Sequence, residues 1–140
     1  MTGGAGAPDA SPLTLSVMLA VPDAAAAAAW YEGALGAVRL WDLGSVVGLE
    51  LAGAAFFLHE ATGEAFEAPA ALGATTARVE VFTDDPDALI ARAVAAGATA
   101  SPGAPRDHEL AWGTHRQGGF IDPAGHVWSV GDRSPLAPHP

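Results

Sequence analysis

The stretch Phe120-Ile121-Asp122-Pro123-Ala124-Gly125-His126-Val127-Trp128 is the most distinctive part of this 140-residue sequence. It lies between two strand candidates, residues 110–120, which glycines interrupt, and residues 126–131. These strands come at the end of a segment that begins with a strand-like run over residues 75–83. The stretch therefore marks the close of a structural unit.

That unit occurs twice along the chain. In the first copy, Asp23 can cap an alanine-rich helix that ends at Gly36. In the second copy, Asp84 precedes a helix that ends at Gly97. Each aspartate precedes its glycine by 13 positions, and the two copies are offset by about 61 residues. An internal repeat of this kind predicts two copies of one supersecondary unit.

Each copy combines one helix with four short strands. The strand candidates are residues 13–21, 37–43, 46–51 and 54–60 in the first copy and residues 75–83, 98–101, 110–120 and 126–131 in the second. We therefore predict an α+β fold of two tandem βαβββ modules, residues 13–60 and 74–132, joined by a linker over residues 61–73. Their curved mixed sheets should surround a cleft, with one helix on the outer face of each module. Residues 1–12 and 133–140 are expected to be flexible tails.

The composition excludes several classes of function. There is no cysteine, and hence no disulfide, thiolate metal site or cysteine nucleophile. Sixteen acidic and six basic residues give a net charge of -10, which repels nucleic acid and anionic membrane surfaces and favours a cationic guest. No apolar run approaches the roughly 20 residues of a membrane span, and no signal peptide pattern is present. We expect a cytoplasmic protein.

Three stretches resemble the vicinal oxygen chelate superfamily, which includes glyoxalase I, extradiol dioxygenases, fosfomycin-resistance enzymes and bleomycin-resistance proteins. Residues 17–31 have its order of strand, aspartate, helix and aromatic-Tyr pair, and residues 85–98 look like the opening of its second module. Residues 120–128 resemble the Phe-x-Asp-Pro-x-Gly-His-x-Trp ending of its bleomycin-resistance and PhnB-like branches. The resemblance implies the glyoxalase/bleomycin-resistance fold and a homodimer with ligand pockets in clefts between modules or subunits.

The resemblance also implies where a divalent metal would be bound. Enzymes of the superfamily place His, Glu or Gln ligands on the opening and closing strands of each module, and the matching positions here are Ser16, Phe57, Arg78 and Ser129. A guanidinium repels a cation, and a phenyl ring has no lone pair to donate. The adjacent positions offer no better ligand. We therefore expect no metal and no other cofactor.

Three aromatic residues, Trp41, Phe57 and Trp112, are candidate walls of a ligand pocket. Their flat faces suit an aromatic or cationic guest, and Phe120 could add a fourth wall. Packing in the core is the alternative for each ring. Trp112 also precedes a glycine-containing run over residues 114–119, which could form a lid or the rim of a cavity.

Two polar residues complete the set of candidate ligand contacts. His59 lies two residues beyond Phe57 and therefore on the same face of a strand. Arg78 needs a carboxylate or a ligand if it points inward, because an unpaired buried charge is costly. Glu50 or Glu80 would pair with it in a purely structural role, whereas an anionic or planar group would pair with it in a binding site.

These patterns favour a metal-free protein that binds and sequesters a small aromatic or cationic molecule, such as an antibiotic. In this interpretation no residue is catalytic. The alternative is a small-metabolite enzyme of the lyase, isomerase or dioxygenase type, with a displaced metal site or with His59 or Glu50 as a general base. A third hypothesis is a module that regulates a protein partner and has no small-molecule pocket.

Overall fold

A computed structural model describes residues 12–103 and 105–140, so the tail expected over residues 1–12 lies outside the described residues apart from Pro12. In the first half, the elements are β1 (Met18–Val21), α1 (Ala24–Leu35), β2 (Val38–Asp42), β3 (Val46–Leu51) and β4 (Ala54–Glu60). A short helix, α2 (Pro69–Leu72), follows in the linker. The second half comprises β5 (Arg78–Phe82), α3 (Pro86–Ala95), β6 (Thr99–Ala100), β7 (Arg106–Leu110), β8 (Gly113–Ile121) and β9 (Val127–Gly131), with a final 3-10 turn over Ser134–Leu136.

The two long helices begin at aspartate caps. The Asp23 carboxylate accepts a hydrogen bond from the Ala26 amide at 3.1 Å, as the sequence predicts for α1. The cap of α3 is Asp85 rather than Asp84, one residue later than the repeat spacing predicts, and it accepts from the Ala88 amide at 3.1 Å. The difference arises because Pro86, whose fixed φ suits the first turn, already belongs to the helix.

Each module contains one mixed sheet, and the predicted α+β fold of two βαβββ modules is confirmed. The first sheet has the order β1-β4-β3-β2, with β1 parallel to β4 and the other pairs antiparallel. In the second sheet, β5 is parallel to β9, which pairs with β8. Both β6 and β7 pair with β8, so together they form one interrupted edge strand.

The glycine-containing run over residues 114–119 lies in the middle of β8, so the expectation of a lid there is wrong, although residues 117–119 line a cavity of the second module. A Cβ atom at Gly119 would lie 2.5 Å from the carbonyl oxygen of Trp128, and one at Gly118 would lie 2.9 Å from the Ile90 side chain. These glycines therefore permit close packing and are not a sign of flexibility. The strand predicted over residues 110–120 corresponds to β8, which begins three residues later, and β7 is an additional strand that the sequence analysis did not predict.

One hydrophobic core is shared by the two modules. The Tyr31 ring of α1 lies with its centroid 5.6 Å from Phe56 of β4 and 5.6 Å from Trp128 of β9. Phe120 is fully buried and stacks on Trp128 at 5.7 Å, so it belongs to this core and is not a pocket wall. The helices and the sheet faces that carry these rings therefore pack as one unit.

The carboxylate of Asp122 connects the modules through four hydrogen bonds. Its Oδ1 atom accepts from the backbone amides of Ala124 (3.0 Å) and His126 (2.9 Å). Its Oδ2 atom accepts from the indole of Trp128 at 2.9 Å and from the hydroxyl of Tyr31 in the first module. Burial, together with the Asp122 carboxylate, raises the pKa of Tyr31 well above its usual value, which keeps this donor protonated.

The turn that follows Asp122 makes two further contacts across the chain. The His126 ring donates from Nε2 to the carbonyl oxygen of Ala20 in β1 at 2.7 Å. The amide of Ala70 in α2 donates to the carbonyl oxygen of Ala124 at 2.9 Å. Gly125 has a φ of 92°, and a Cβ atom there would lie 2.5 Å from the Ala70 nitrogen, so only glycine fits this approach. The distinctive stretch therefore holds the fold together.

We expect the substitution Asp122→Ala to lower the free energy of unfolding by about 3 kcal/mol, because it leaves four donors in or beside the core without their acceptor. Urea unfolding followed by far-UV circular dichroism measures this change. The matched control is Asp84→Ala at a side chain that is 92% exposed, where we expect less than about 0.5 kcal/mol. Equal unfolding midpoints for the two variants would contradict the assigned role of Asp122.

Candidate functional site

Trp41 lies on the face of the first sheet that is turned away from α1, because β2 contains a bulge. Arg39 pairs with Leu49 and Trp41 pairs with Gly48, so Leu40 is the additional residue. Without this shift in register, Trp41 would lie on the same face as Arg39. The ring covers Gly48 so closely that a Cβ atom there would lie 2.5 Å from Trp41 Cε2.

Trp41 belongs to an apolar row that crosses all four strands. Met18 of β1 pairs with Phe57 of β4, which pairs with Gly48 of β3. The rings of Trp41 and Phe57 stack, with centroids 5.7 Å apart and planes at 26°. Met18 is 44% exposed and Trp41 40% exposed. We refer to Met18, Phe57 and Trp41 as the aromatic shelf.

His59 lies in the row next to the shelf, on the same face of β4. Its Nδ1 atom is 2.7 Å from the carbonyl oxygen of Glu60, and its ring meets Phe66 of the linker edge-on at 5.7 Å. Because a carbonyl oxygen only accepts, Nδ1 donates in this contact, and in the neutral form of the ring the lone pair then lies on Nε2. His59 therefore presents a hydrogen-bond acceptor beside the shelf.

Arg78 lines a cavity of about 450 Å³ on the second sheet, which we call the polar cavity. The cavity is lined by residues of β5, β7, β8 and β9 and of the segment after β6, namely Arg78, Ser101, Pro102, Gly103, Arg106, His108, Gln117, Gly118, Gly119, Val127, Trp128 and Ser129. In the part of the chain that the structure describes, neither Glu50 nor Glu80 forms an ion pair with Arg78. The structural ion pair considered from the sequence is therefore not formed.

A groove of about 560 Å³ runs between the two modules. Ser16, just before β1, and Arg78, at the start of β5, both line it. Arg78 thus borders the groove as well as the polar cavity. Arg78 therefore lies where the polar cavity meets the groove between the modules.

The candidate metal positions do not fit a divalent ion. The Ser16 hydroxyl donates to the carbonyl oxygen of Ala55 at 2.5 Å, and Phe57 is part of the aromatic shelf. The Ser129 hydroxyl accepts from an amide side chain, and Arg78 carries a fixed positive charge. Across residues 12–103 and 105–140, no three His, Asp or Glu side chains come together as a possible metal site. The donor set is wrong for the metal that the superfamily's enzymes use.

Trp112 lies apart from the other candidates, in the turn between β7 and β8. Its indole stacks on His139 with centroids 4.5 Å apart and donates to the Ser134 hydroxyl at 3.1 Å. The segment over residues 133–140, expected to be a flexible tail, instead makes these specific contacts. The structure thus groups Trp41, Phe57 and His59 on one face, places Arg78 in the second module, and gives Trp112 a role in holding the C-terminal segment.

Ser134, His115 and Asp132 form a cluster that the sequence did not reveal. The Nδ1 atom of His115 lies 2.8 Å from Asp132 Oδ1 and 3.2 Å from Ser134 Oγ. A proton relay requires the serine and the carboxylate to contact opposite ring nitrogens, whereas here both contact the same one. The cluster is therefore a structural lock between β8 and the C-terminal segment. His115 lies 17 and 19 positions before Asp132 and Ser134, and no spacing pattern connects it to them.

Hydrogen bonds from the Arg116 amide, the His115 ring and the Ser134 amide hold the pKa of Asp132 well below its usual value. A lowered pKa in the folded state adds stability above the unfolded pKa of about 4 and loses it as the pH falls. We therefore expect Asp132→Asn to be less stable than the wild type at neutral pH and to lose less stability between about pH 5 and pH 2. Urea unfolding across this range measures the difference, and an unchanged acid slope would contradict it.

The two modules, their shared core and the altered metal positions define a protein of the glyoxalase/bleomycin-resistance fold. The sequence profile described as "Glyoxalase-like domain" matches residues 16–131. The chain therefore belongs to this family, within the vicinal oxygen chelate superfamily. None of the curated protein sequences matches the chain.

Solved structures show the same fold over nearly the whole chain. TioX from Micromonospora sp. ML1 is 27% identical, with a TM-score of 0.67 over 86% of this chain and 98% of its own. An integron cassette protein from the mobile metagenome of V. cholerae is 25% identical, with a TM-score of 0.62 over 89% and 98%. A glyoxalase/bleomycin resistance protein/dioxygenase family enzyme from Burkholderia phytofirmans PsJN is 23% identical, with a TM-score of 0.59 over 84% and 95%. Among the described residues, no helix has the length and apolar character that a bilayer crossing requires.

Proposed function

We propose that this protein binds and sequesters a small aromatic molecule, such as an antibiotic, without a metal and without changing it chemically. The observation that carries the proposal is the aromatic shelf. Its ring pair includes Phe57, at a position where the superfamily's enzymes hold a metal ligand, and Trp41, which a bulge directs to the same face. Two stacked and partly exposed rings on a sheet face are typical of a surface that receives a ligand.

The shelf supports binding by stacking and by burial of apolar surface. A planar ring placed on Trp41 gains about 0.5–1.5 kcal/mol from stacking, in addition to the contribution of the buried area. A cationic group would also be attracted by the indole face and by the net charge of -10. Because any planar ring can stack on the shelf, the shelf selects a ligand by its shape more than by its charge. Affinity alone would lower the free concentration of the ligand.

A second copy of the chain closes the site in this proposal. The residues before β1 support a homodimer, because Leu13 and Leu15 are 97% and 93% exposed in one chain. The strand predicted over residues 13–21 becomes regular only at Met18, where pairing with β4 begins. A partner subunit would cover this apolar run and the shelf together, removing both from water. The proposed ligand contacts are Trp41, Phe57, His59 and Arg78, whereas Trp112 is left out because it packs on His139.

One observation favours a second candidate function, an enzyme acting on a small metabolite. The hydrogen bond from His59 Nδ1 to a carbonyl oxygen leaves Nε2 able to accept a proton beside the shelf. In that case His59 would act as a general base on a ligand stacked on Trp41. Mass spectrometry of the ligand after long incubation distinguishes this function from sequestration, because sequestration returns the ligand unchanged.

The proposal is tested by a thermal-shift screen of planar antibiotics, followed by fluorescence titration of the strongest ligand. A ligand at about 100 times its Kd adds roughly 2.7 kcal/mol of stability, which such a screen detects easily. We expect Trp41→Ala to weaken binding by about tenfold or more, because stacking and apolar contact are lost together. Gly48→Ala should weaken binding as well, since its Cβ atom displaces the Trp41 ring.

The matched control for this titration is Trp112→Ala, which removes an indole of similar exposure outside the shelf. It should bind the ligand as the wild type does. Sedimentation should give about twice the 14.0 kDa of one chain. Equal losses for Trp41→Ala and Trp112→Ala would contradict the proposed site, and conversion of the ligand to a product would favour the enzyme.

A further inference from the structure

The arginines of this chain divide into two groups. All six basic residues are arginine, and four of them have partners. These pairs are Arg39 with Glu32 and Asp42, Arg92 with the Gly33 carbonyl oxygen, Arg116 with Asp87 and Asp107, and Arg133 with Asp84. Within residues 12–103 and 105–140, Arg78 and Arg106 make no ion pair and no side-chain hydrogen bond. These two arginines line the same cavity.

The polar cavity contains no carboxylate. The chain has sixteen acidic residues, yet no Asp or Glu occurs among the described residues that line this space. Glu80 follows Arg78 on the same face of β5, but it lines the neighbouring groove and not the polar cavity. Two solvent-exposed arginines without a carboxylate partner among the described residues therefore line a space of about 450 Å³, a size that suits a small ligand.

Neutral hydrogen-bond donors complete the lining. Gln117 lies opposite Arg106 in the β7-β8 pair, and its side-chain amide donates to the Ser129 hydroxyl at 2.5 Å. Because that hydroxyl oxygen accepts from Gln117, its own hydrogen is available to a ligand. Ser129 is buried, and the His108 ring adds a further polar group. Charged and neutral donors that line one cavity without an acid are suited to oxyanion recognition.

The net charge of -10 does not oppose this local chemistry strongly. Ionic screening reduces interactions between exposed charges beyond a Debye length of about 8 Å at physiological salt. A bound oxyanion would contact the guanidinium groups directly, at distances where screening is weak. Three of the arginines outside the cavity, Arg39, Arg116 and Arg133, are already paired with carboxylates. The cavity is thus a positive site on an acidic protein.

We propose that the polar cavity binds an oxyanion, a carboxylate or a phosphate group, through Arg78, Arg106 and Ser129, and that the aromatic ligand of the shelf carries this group. The second part rests on the proposed function, whereas the first part depends on residues of a single chain. Because the proposed function includes Arg78 among the contacts of the shelf's ligand, that ligand would be an aromatic acid or an aromatic phosphate, with a charge opposite to the one that the composition favours.

The cavity itself is tested with inorganic phosphate as the probe. Nitrogen-15 NMR resolves the arginine Nε–H signals, which are assigned with the variants Arg78→Gln and Arg106→Gln. Phosphate added at constant ionic strength should shift the signals of Arg78 and Arg106 in a saturable way and leave that of Arg92 unchanged. If phosphate shifted the signals of all the arginines equally, or shifted no signal, the oxyanion site would be overturned, whatever ligand binds to the shelf.

The aromatic ligand class is tested with naphthoate, naphthyl phosphate and neutral naphthamide. The wild type should bind at least one of the anions about tenfold or more tightly than the amide, because hydrogen bonds to charged groups contribute that much. The double variant Arg78→Gln with Arg106→Gln should remove this preference and still bind the amide. The control Arg92→Gln, which changes the net charge by one outside the cavity, should keep the preference.

The two anions also identify the preferred group. If only naphthoate binds more tightly than the amide, the group is a carboxylate, and if only naphthyl phosphate does, the group is a phosphate. Binding of the amide through Trp41 without any gain for the anions would overturn the inference and leave the proposed function standing. Binding of no naphthyl compound would count against the shelf as the site of the ring, while the phosphate titration would still decide on the cavity.

Discussion

The fold depends on one buried carboxylate, that of Asp122, which accepts hydrogen bonds from both modules. Its partner Tyr31 lies in the helix of the first module, and its other partners lie in the last turn and strand of the second. A buried carboxylate that lost these donors would be strongly unfavourable, so Asp122 favours the arrangement of the modules that keeps them. The most distinctive stretch of the sequence therefore serves the architecture. In the proposed function, the sheet faces that point away from the helices recognise the ligand.

The sheet faces that point away from the helices carry different kinds of side chain in the two modules. At the positions that the resemblance assigns to metal ligands, the first module has the phenyl ring of Phe57, and the second has Arg78 and the buried Ser129. A ring and a cation cannot replace a metal in catalysis, but they can take over the recognition of a ligand. Stacking on one face and pairing with charge on the other would together select a planar anion.

Local signals made most of the fold predictable, whereas the site depends on contacts that are distant in sequence. Asp23 and Gly36 mark a helix because capping involves neighbouring residues only, and the repeat then predicts the second module. The bulge at Leu40 that turns Trp41 towards Phe57 follows from cross-strand pairing, which no local pattern encodes. Glycine at residue 119 suggested flexibility, although it is required by the nearby Trp128 carbonyl.

The central claim is that the faces of this protein recognise an organic ligand through side chains alone. It is tested most directly by isothermal titration of the tag-free protein with Ni²⁺, Zn²⁺ and Mn²⁺, together with elemental analysis of the protein as purified. We predict far less than one ion per chain as purified and no saturable heat at micromolar metal. A stoichiometric ion, bound with loss of the free Nε2 signal of His59, would contradict the claim and favour catalysis.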